Sequence, residues 1–180
     1  NVPMLGASPY KLINEVGVNN DRKLTDKNLR ALEGAYRKAP YYGDVFPLME
    51  RVLESGKDDI ASYIAESFRI IGEYLDIKTE FIISSDLEKD CEQKGQDKVL
   101  SICKLLGATE YYNAIGGQEL YSFEDFKAQD ITLKFLKTSD IVYEQFGNEF
   151  QPNLSIVDVM MFNSREQVQQ MLKKYTLVCE

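Results

Sequence analysis

The stretch TEYYNAIGGQELYSFEDFKAQDITLKFLK (residues 109–137) decides the fold class. TEYYNAI is built from residues that fit a pleated strand, and ITLKFLK repeats that character. Between them SFEDFKAQ reads as a short helix opened by Ser122, a residue type that caps helix N-termini. Strand, helix and strand in that order predict a parallel pair joined by a crossover. The end of the first strand poses the functional question. NAIGGQ (residues 113–118) reads in two ways: as a tight turn that needs glycine at positive φ, or as a place where backbone N–H groups approach a ligand with no Cβ in the way. Its spacing is neither GxGxxG nor a Walker loop.

Working outward, DIASYIAESFRIIGEYLDI (residues 59–77) sets Ile60, Ile64, Phe68, Ile71 and Leu75 at helical spacing. TEFIISS (residues 79–85) reads as a strand. KGQDKVLSICKLLGA (residues 94–108) reads as a helix with Val99, Ile102, Cys103 and Leu106 on one face and Gly107 as its stop. This alternation predicts an α/β fold: a Rossmann-like, three-layer arrangement with a mostly parallel sheet flanked by helices. Residues 1–56 are a less regular, partly helical subregion. KLINEVGV (residues 11–18) is expected to be a short strand with Leu12, Asn14, Val16 and Val18 on one face. Thr25 is expected to cap a helix carrying Leu29, Leu32 and Tyr36. DVFPLMERVLES (residues 44–55) predicts a second helix with Val45, Leu48, Met49 and Val52 inward, ended by Gly56. SIVDVMMFNS and REQVQQMLKKY (residues 155–175) close the chain as helical pieces, with Ser155/Asp158 and Ser164/Gln167 spaced as capping boxes. With no repeat or linker, residues 1–180 read as a single domain, with 57–180 as its alternating core.

Composition bounds the function. The 180 residues are 44% hydrophobic and 28% charged, enough for a core of ordinary kind. A net charge of −8 argues against general nucleic-acid binding, which uses a basic face, but leaves room for a nucleotide held by a few donors. No apolar run approaches the roughly 20 residues of a membrane helix, and no signal-peptide pattern opens the sequence. A cytoplasmic protein without a membrane partner is therefore expected. Cys91, Cys103 and Cys179 lack a CxxC pattern and read as reduced thiols. The chain has no histidine, so any proton transfer must use Asp, Glu, Lys, Tyr or Cys. No spacing marks a metal site, so none is predicted, and the residues specify no cofactor.

In open α/β sheets ligands sit beyond the carboxyl ends of strands, here SSDL, NAIGGQ and KTSD. Lys94 in KGQ either helps a helix N-terminus hold an anion or is simply solvated. YRKAPYY (residues 36–42) mixes two cations with aromatics, which suits either phosphate with a stacked ring or an amphipathic helix end. Asp158 interrupts an otherwise apolar helix, where a carboxylate is costly to bury unless it is hydrogen-bonded. It is either an acid–base group, an orienting group, or a cap of its own first turn.

Taken in order, KLINEV, YRKAPYYGDVFPLME, SSDL, KGQ, LGATEYYNAIGGQELY, ITLKFL, Phe150 with QPNLSIVDVMMFNS, and LKKYTL resemble the WbqC-like family over nearly the whole chain. The resemblance implies a bacterial cytoplasmic protein of O-antigen or other surface-polysaccharide synthesis that meets a nucleotide-activated (amino)sugar or a related metabolite. It implies either a transferase moving an acyl or aminoacyl group, or a non-catalytic nucleotide-sugar-binding or interaction protein of a polysaccharide-assembly complex. A homodimer is compatible with each. The family pattern carries over to Arg37, Lys94, Gln96, Asn113, Gly116, Gly117, Gln118, Tyr121, Ser155 and Asp158. Asp158 and Lys94 are the candidate catalytic residues and the other eight the candidate substrate-binding ones. Arg37 and Lys94 would neutralise phosphate, and Gly116 and Gly117 would offer backbone donors. The family pattern also opens with a strand and a QPxYFP-type motif that the sequence from Asn1 onward does not contain. The expectation is that this strand and part of the site lie outside the sequence, leaving a sheet edge for a partner chain to cover.

Overall fold

A computed structural model describes residues 2–90, 92–147 and 149–179, so Cys91 lies outside the described residues. In chain order the elements are β1 (Met4–Leu5), β2 (Gly17–Val18), α1 (Arg22–Tyr36), α2 (Tyr42–Leu53), α3 (Ile60–Tyr74), α4 (Gly95–Leu105), β3 (Glu110–Ala114), α5 (Phe123–Lys127), β4 (Thr132–Thr138), α6 (Ile156–Phe162), α7 (Arg165–Met171) and β5 (Tyr175–Val178). They fall into two compact units, Asn1–Phe81 with Val142–Met171, and Ile82–Ile141 with Leu172–Glu180.

The first unit is helical. Val45, Met49, Ile70, Leu75, Met160, Met161 and Val168 form its core with partly buried neighbours from α1, α2, α3 and α6. Each fully buried aliphatic side chain of this kind contributes about 1.5–3 kcal/mol. α2 buries the predicted positions Val45, Met49 and Val52. α1 starts earlier than Thr25, because the Asp21 carboxylate accepts the Lys23 N–H (2.8 Å) and the Thr25 N–H is spent on the Asp21 carbonyl (3.1 Å). α3 faces the core with Tyr63, Ile70 and Leu75, whereas Ile64 and Phe68 are 39% and 55% exposed. The helix is apolar on two sides, and the arc through Tyr63 and Ile70 wins the core. Phe68 instead stacks on Phe81 (6.3 Å between ring centres). KLINEVGV is mostly not a strand. The Glu15 carboxylate reaches back to the Leu12 N–H (2.8 Å) and winds Ile13–Glu15 into a 3-10 turn, so that only β2 pairs, antiparallel to β1. Val16 and Val18 are buried as expected; Leu12 and Asn14 are exposed.

The second unit holds the strand–helix–strand stretch. β3 and β4 run parallel in register from Glu110↔Thr132 to Ala114↔Leu136. α5 lies between them in sequence, with the Ser122 hydroxyl accepting the Asp125 N–H (3.3 Å). Cys103, Phe126, Ile131, Leu133 and Phe135 form the core beneath. α4 stops at Gly107, whose φ of 64° suits a residue without Cβ. There the Ala108 N–H reaches the Cys103 carbonyl (2.8 Å) and the Gly107 N–H that of Lys104 (3.1 Å), a Schellman ending.

The α/β class is thus observed, but the mostly parallel Rossmann-like sheet is not. The sheet is mixed and three-stranded, in order β3-β4-β5, with β5 antiparallel to β4. Two local facts explain the difference. TEFIISS forms no strand: its Phe81 is taken by Phe68, and Ile82 is 47% exposed. The closing helix ends at Met171, and YTLV then fills the open edge of β4 from Phe135↔Val178 to Thr138↔Tyr175.

Candidate functional site

In the first unit the most unusual group is Asp158, 4% exposed on a helix whose other buried residues are Met160 and Met161. Ser155 caps α6 by accepting the Val157 N–H (3.2 Å), as its position predicts. Asp158 does not complete a capping box. Its Oδ2 accepts from the Tyr36 hydroxyl (3.0 Å), and its Oδ1 from the Tyr143 hydroxyl (2.6 Å) and Gln145 Nε2 (3.0 Å). Three charge-assisted donors offset a burial that would otherwise cost several kcal/mol. Among the described residues no Lys or Arg pairs with it. The donors are themselves fixed. Gln145 Oε1 accepts the Gln151 N–H (2.9 Å), Phe150 packs edge-on against Tyr143 (5.3 Å), and Phe162 does the same to Tyr36 (6.2 Å). With both oxygens engaged, the carboxylate acts as a fixed acceptor that orients two phenols and one amide.

Burial, then the Asp158 hydrogen bond and charge, push the Tyr36 phenol up to about 12. The Tyr143 phenol rises to about 12 for the same leading reasons. An unfolded tyrosine titrates near about 10, so between these values the unfolded chain holds fewer protons than the folded one. Stability present below about pH 10 is therefore lost as pH rises toward 12. Tyr36→Phe should make that alkaline loss shallower by one proton, and a 295-nm phenolate titration should lose one of its latest steps.

Arg37 follows Tyr36 directly and is exposed at the end of α1. Neither it nor Lys38 makes an ion pair among the described residues. The same turn is pinned to α6 by the Tyr41 N–H donating to the Met161 carbonyl (3.1 Å). Tyr42 stacks on Phe46 (4.8 Å). Its phenol is raised by burial and by Glu33 and Glu50, and Arg37 opposes that rise. Two cations and a stacked aromatic pair thus stand on a turn whose preceding residue Asp158 holds.

The other predicted residues lie in the second unit. Gln96 ties α4 to the start of α5: its Oε1 accepts the Ser122 N–H (2.6 Å) and its Nε2 donates to Asp125 (2.7 Å). Asn113 accepts the Ala114 N–H (2.7 Å) and donates to the Tyr111 hydroxyl (3.2 Å). Tyr121 packs on Tyr111 (5.6 Å) and Phe126 (5.9 Å), and burial, followed by Tyr121, raises the Tyr111 phenol strongly. NAIGGQ continues from β3 into a 3-10 helix, Ile115–Leu120. Neither Gly116 nor Gly117 has positive φ, which corrects the tight-turn reading. A Cβ on Gly117 would stand 3.3 Å from the Asn113 amide, so glycine serves a close side-chain approach there, while Gly116 faces open space. Lys94 is the exposed N-cap residue of α4, and Gln118 is exposed.

Tyr143 and Gln145 are not singled out in the sequence, and Tyr36 is named there only as a helix position and as the first residue of YRKAPYY, not as a partner of Asp158. Tyr36 and Asp158 are 122 residues apart, and no local motif announces such a pair. The one available signal was the lone acid in an apolar helix, which demands donors from elsewhere. Among the described residues no group of three or more Cys, Asp or Glu is arranged to hold a metal ion, and no helix is long and apolar enough to cross a membrane. Comparison with curated proteins and with solved structures finds no match. The model of the WbqC-like protein family matches residues 1–170 of the 180, and the chain therefore belongs to that family.

Proposed function

We propose that the protein binds a nucleotide-activated (amino)sugar in bacterial surface-polysaccharide synthesis and takes part in its modification in the cytoplasm, by acyl or aminoacyl transfer. The observation that carries the reading is the buried, cation-free Asp158, which fixes Tyr36 beside the exposed Arg37. Arg37 and Lys38 would meet the phosphates, and the Tyr42–Phe46 pair would stack on a ring of the ligand. Asp158 would orient Tyr36 and Tyr143 toward the sugar. Membership in the WbqC-like family supports the setting. The full engagement of both Asp158 oxygens favours an orienting role over proton transfer, and so keeps binding without catalysis as the second reading. Lys94, Gly116 and Gly117 are the secondary candidates, in the second unit.

Calorimetric titration with nucleotide-sugars tests the proposal. Arg37→Ala should weaken binding about 10- to 100-fold, the cost of a charge-assisted phosphate contact. An Arg37→Ala protein that binds as tightly as the original removes Arg37 from the site. Mass analysis of the sugar after incubation with acyl donors separates transfer from binding alone.

A further inference from the structure

Helix α1 packs one face and leaves the opposite one clear. Leu32 and Tyr36 pack against the core of the first unit. On the far side Lys23, Lys27, Arg30, Gly34 and Arg37 follow one another at helical spacing, and all five are exposed. At about 1.5 Å per residue this stripe runs about 21 Å. None of its four cations makes an ion pair among the described residues. The acids of the helix are engaged elsewhere: Arg22 holds Asp26 (3.0 Å), and Glu33 acts on Tyr42. A Cβ added at Gly34 would meet nothing within 4 Å, so among the described residues nothing covers the middle of the stripe. Glycine weakens a helix interior, and no packing contact requires it here. An apolar segment is tied to the N-terminal end of the same helix. β1 pairs with β2, the Asn19 N–H donates to the Pro3 carbonyl (2.9 Å), and the Asn19 side chain accepts the N–H of Asp21, the N-cap residue of α1 (3.1 Å). This segment exposes Met4, Leu5, Tyr10, Leu12 and Ile13, with Tyr10 96% and Leu12 64% exposed.

We infer that this part of the first unit binds the surface of an anionic lipid bilayer. The cations of α1 meet the headgroup phosphates, and Tyr10, Leu12 and Ile13 enter the interfacial zone, where aromatic and aliphatic side chains are stable. An acidic protein would find no apolar anchor within the stripe, and such anchors carry most of the binding energy of protein interfaces. A nucleic acid would use the cations and leave the apolar segment idle. A bilayer interface takes both. The acids behind the net charge of −8 are screened from the headgroups beyond a Debye length of about 8 Å. Surface binding needs no spanning helix, so it replaces the expectation of a protein without a membrane partner, which rested on the lack of a spanning run. It stands apart from the nucleotide-sugar reading, because Arg37 and Asp158 stay intact in every variant of its test.

Co-sedimentation with sucrose-loaded vesicles, roughly one part phosphatidylglycerol to two parts phosphatidylcholine, tests it. The protein should pellet with these vesicles, and about tenfold less with phosphatidylcholine alone or at high salt. Each cation at such a surface changes partitioning about fivefold, so Lys27→Gln with Arg30→Gln should weaken it about 25-fold. Gly34→Glu sets an acid in the stripe without a packing clash and favours the helix; it should weaken partitioning about fivefold, and Gly34→Ala should leave it unchanged. Tyr10→Ser with Leu12→Ser should also weaken it, with the salt dependence kept. The inference is overturned if the protein ignores the anionic vesicles or binds phosphatidylcholine equally. It is also overturned if the Lys27/Arg30 pair of changes, Gly34→Glu or the Tyr10/Leu12 pair of changes leaves partitioning intact. Binding of an arbitrary DNA duplex at the same salt, as tight as vesicle binding and lost with Lys27 and Arg30, would reassign the stripe to nucleic acid.

Discussion

Asp158→Ala is expected to lower the free energy of unfolding by about 2–4 kcal/mol, because it leaves the part-buried Tyr36 and Tyr143 hydroxyls without their acceptor and Gln145 Nε2 with the Gln151 carbonyl in place of the carboxylate. Asp158→Asn should cost less, about 1–2 kcal/mol. Its carbonyl still accepts on the Tyr143 and Gln145 side, and a rotated Tyr36 hydroxyl accepts from the new amide. Urea denaturation of the three proteins measures the difference. The order Ala worse than Asn follows from hydrogen-bond satisfaction alone. Equal losses would show that charge matters more than the donors, and an Asp158→Ala loss below about 1 kcal/mol would remove Asp158 as the anchor of the cluster.

Phe126→Ala carries the second large effect, about 3–5 kcal/mol, the range for truncating a buried aromatic. Phe126 is fully buried, with its ring stacked on Tyr111 (5.3 Å) and edge-on to Tyr121 (5.9 Å). It therefore underlies the strand-end region that carries Asn113 and Gly117. Hydrogen exchange should show β3, β4 and β5 losing protection first, while α2 and α3, which belong to the other unit, change less. Uniform loss across both units would mean that they unfold as a single cooperative structure.

These two residues mark how far the sequence could be read. Local signals carried well. Ser122 capping α5, the Ser164–Gln167 box (2.7 and 3.2 Å), the Gly107 stop and the β3–α5–β4 order all rest on contacts within a few residues or on strong periodicity. Signals that depend on competition did not. An apolar run such as TEFIISS fits a strand by propensity, but a strand also needs a neighbour, and among the described residues none pairs with it. YTLV is short: its Tyr175 reads as the end of the preceding helical piece and residues 176–178 carry no predicted element, yet the four residues pair with β4. α3 carries two apolar arcs, and only packing chooses between them. The candidate site divides along the same line. Asp158 was legible because a carboxylate in an apolar helix violates a simple cost rule. Tyr143 and Gln145 were not, since their only distinction is distance to a residue that the fold brings near.

The most direct test of the proposed function is a thermal melt of the protein against a panel of nucleotide-sugars, with the matching nucleotides and free sugars as controls. A ligand at a hundred times its Kd stabilises the folded state by about 2.7 kcal/mol, a shift readily seen. The expected result is a rise with a nucleotide-sugar that exceeds the rise with either half, is lost in Arg37→Ala, and survives Gly117→Val. No rise with any member of the panel, or a rise unchanged by Arg37→Ala, would contradict the assignment of a nucleotide-sugar site to the turn that Asp158 holds.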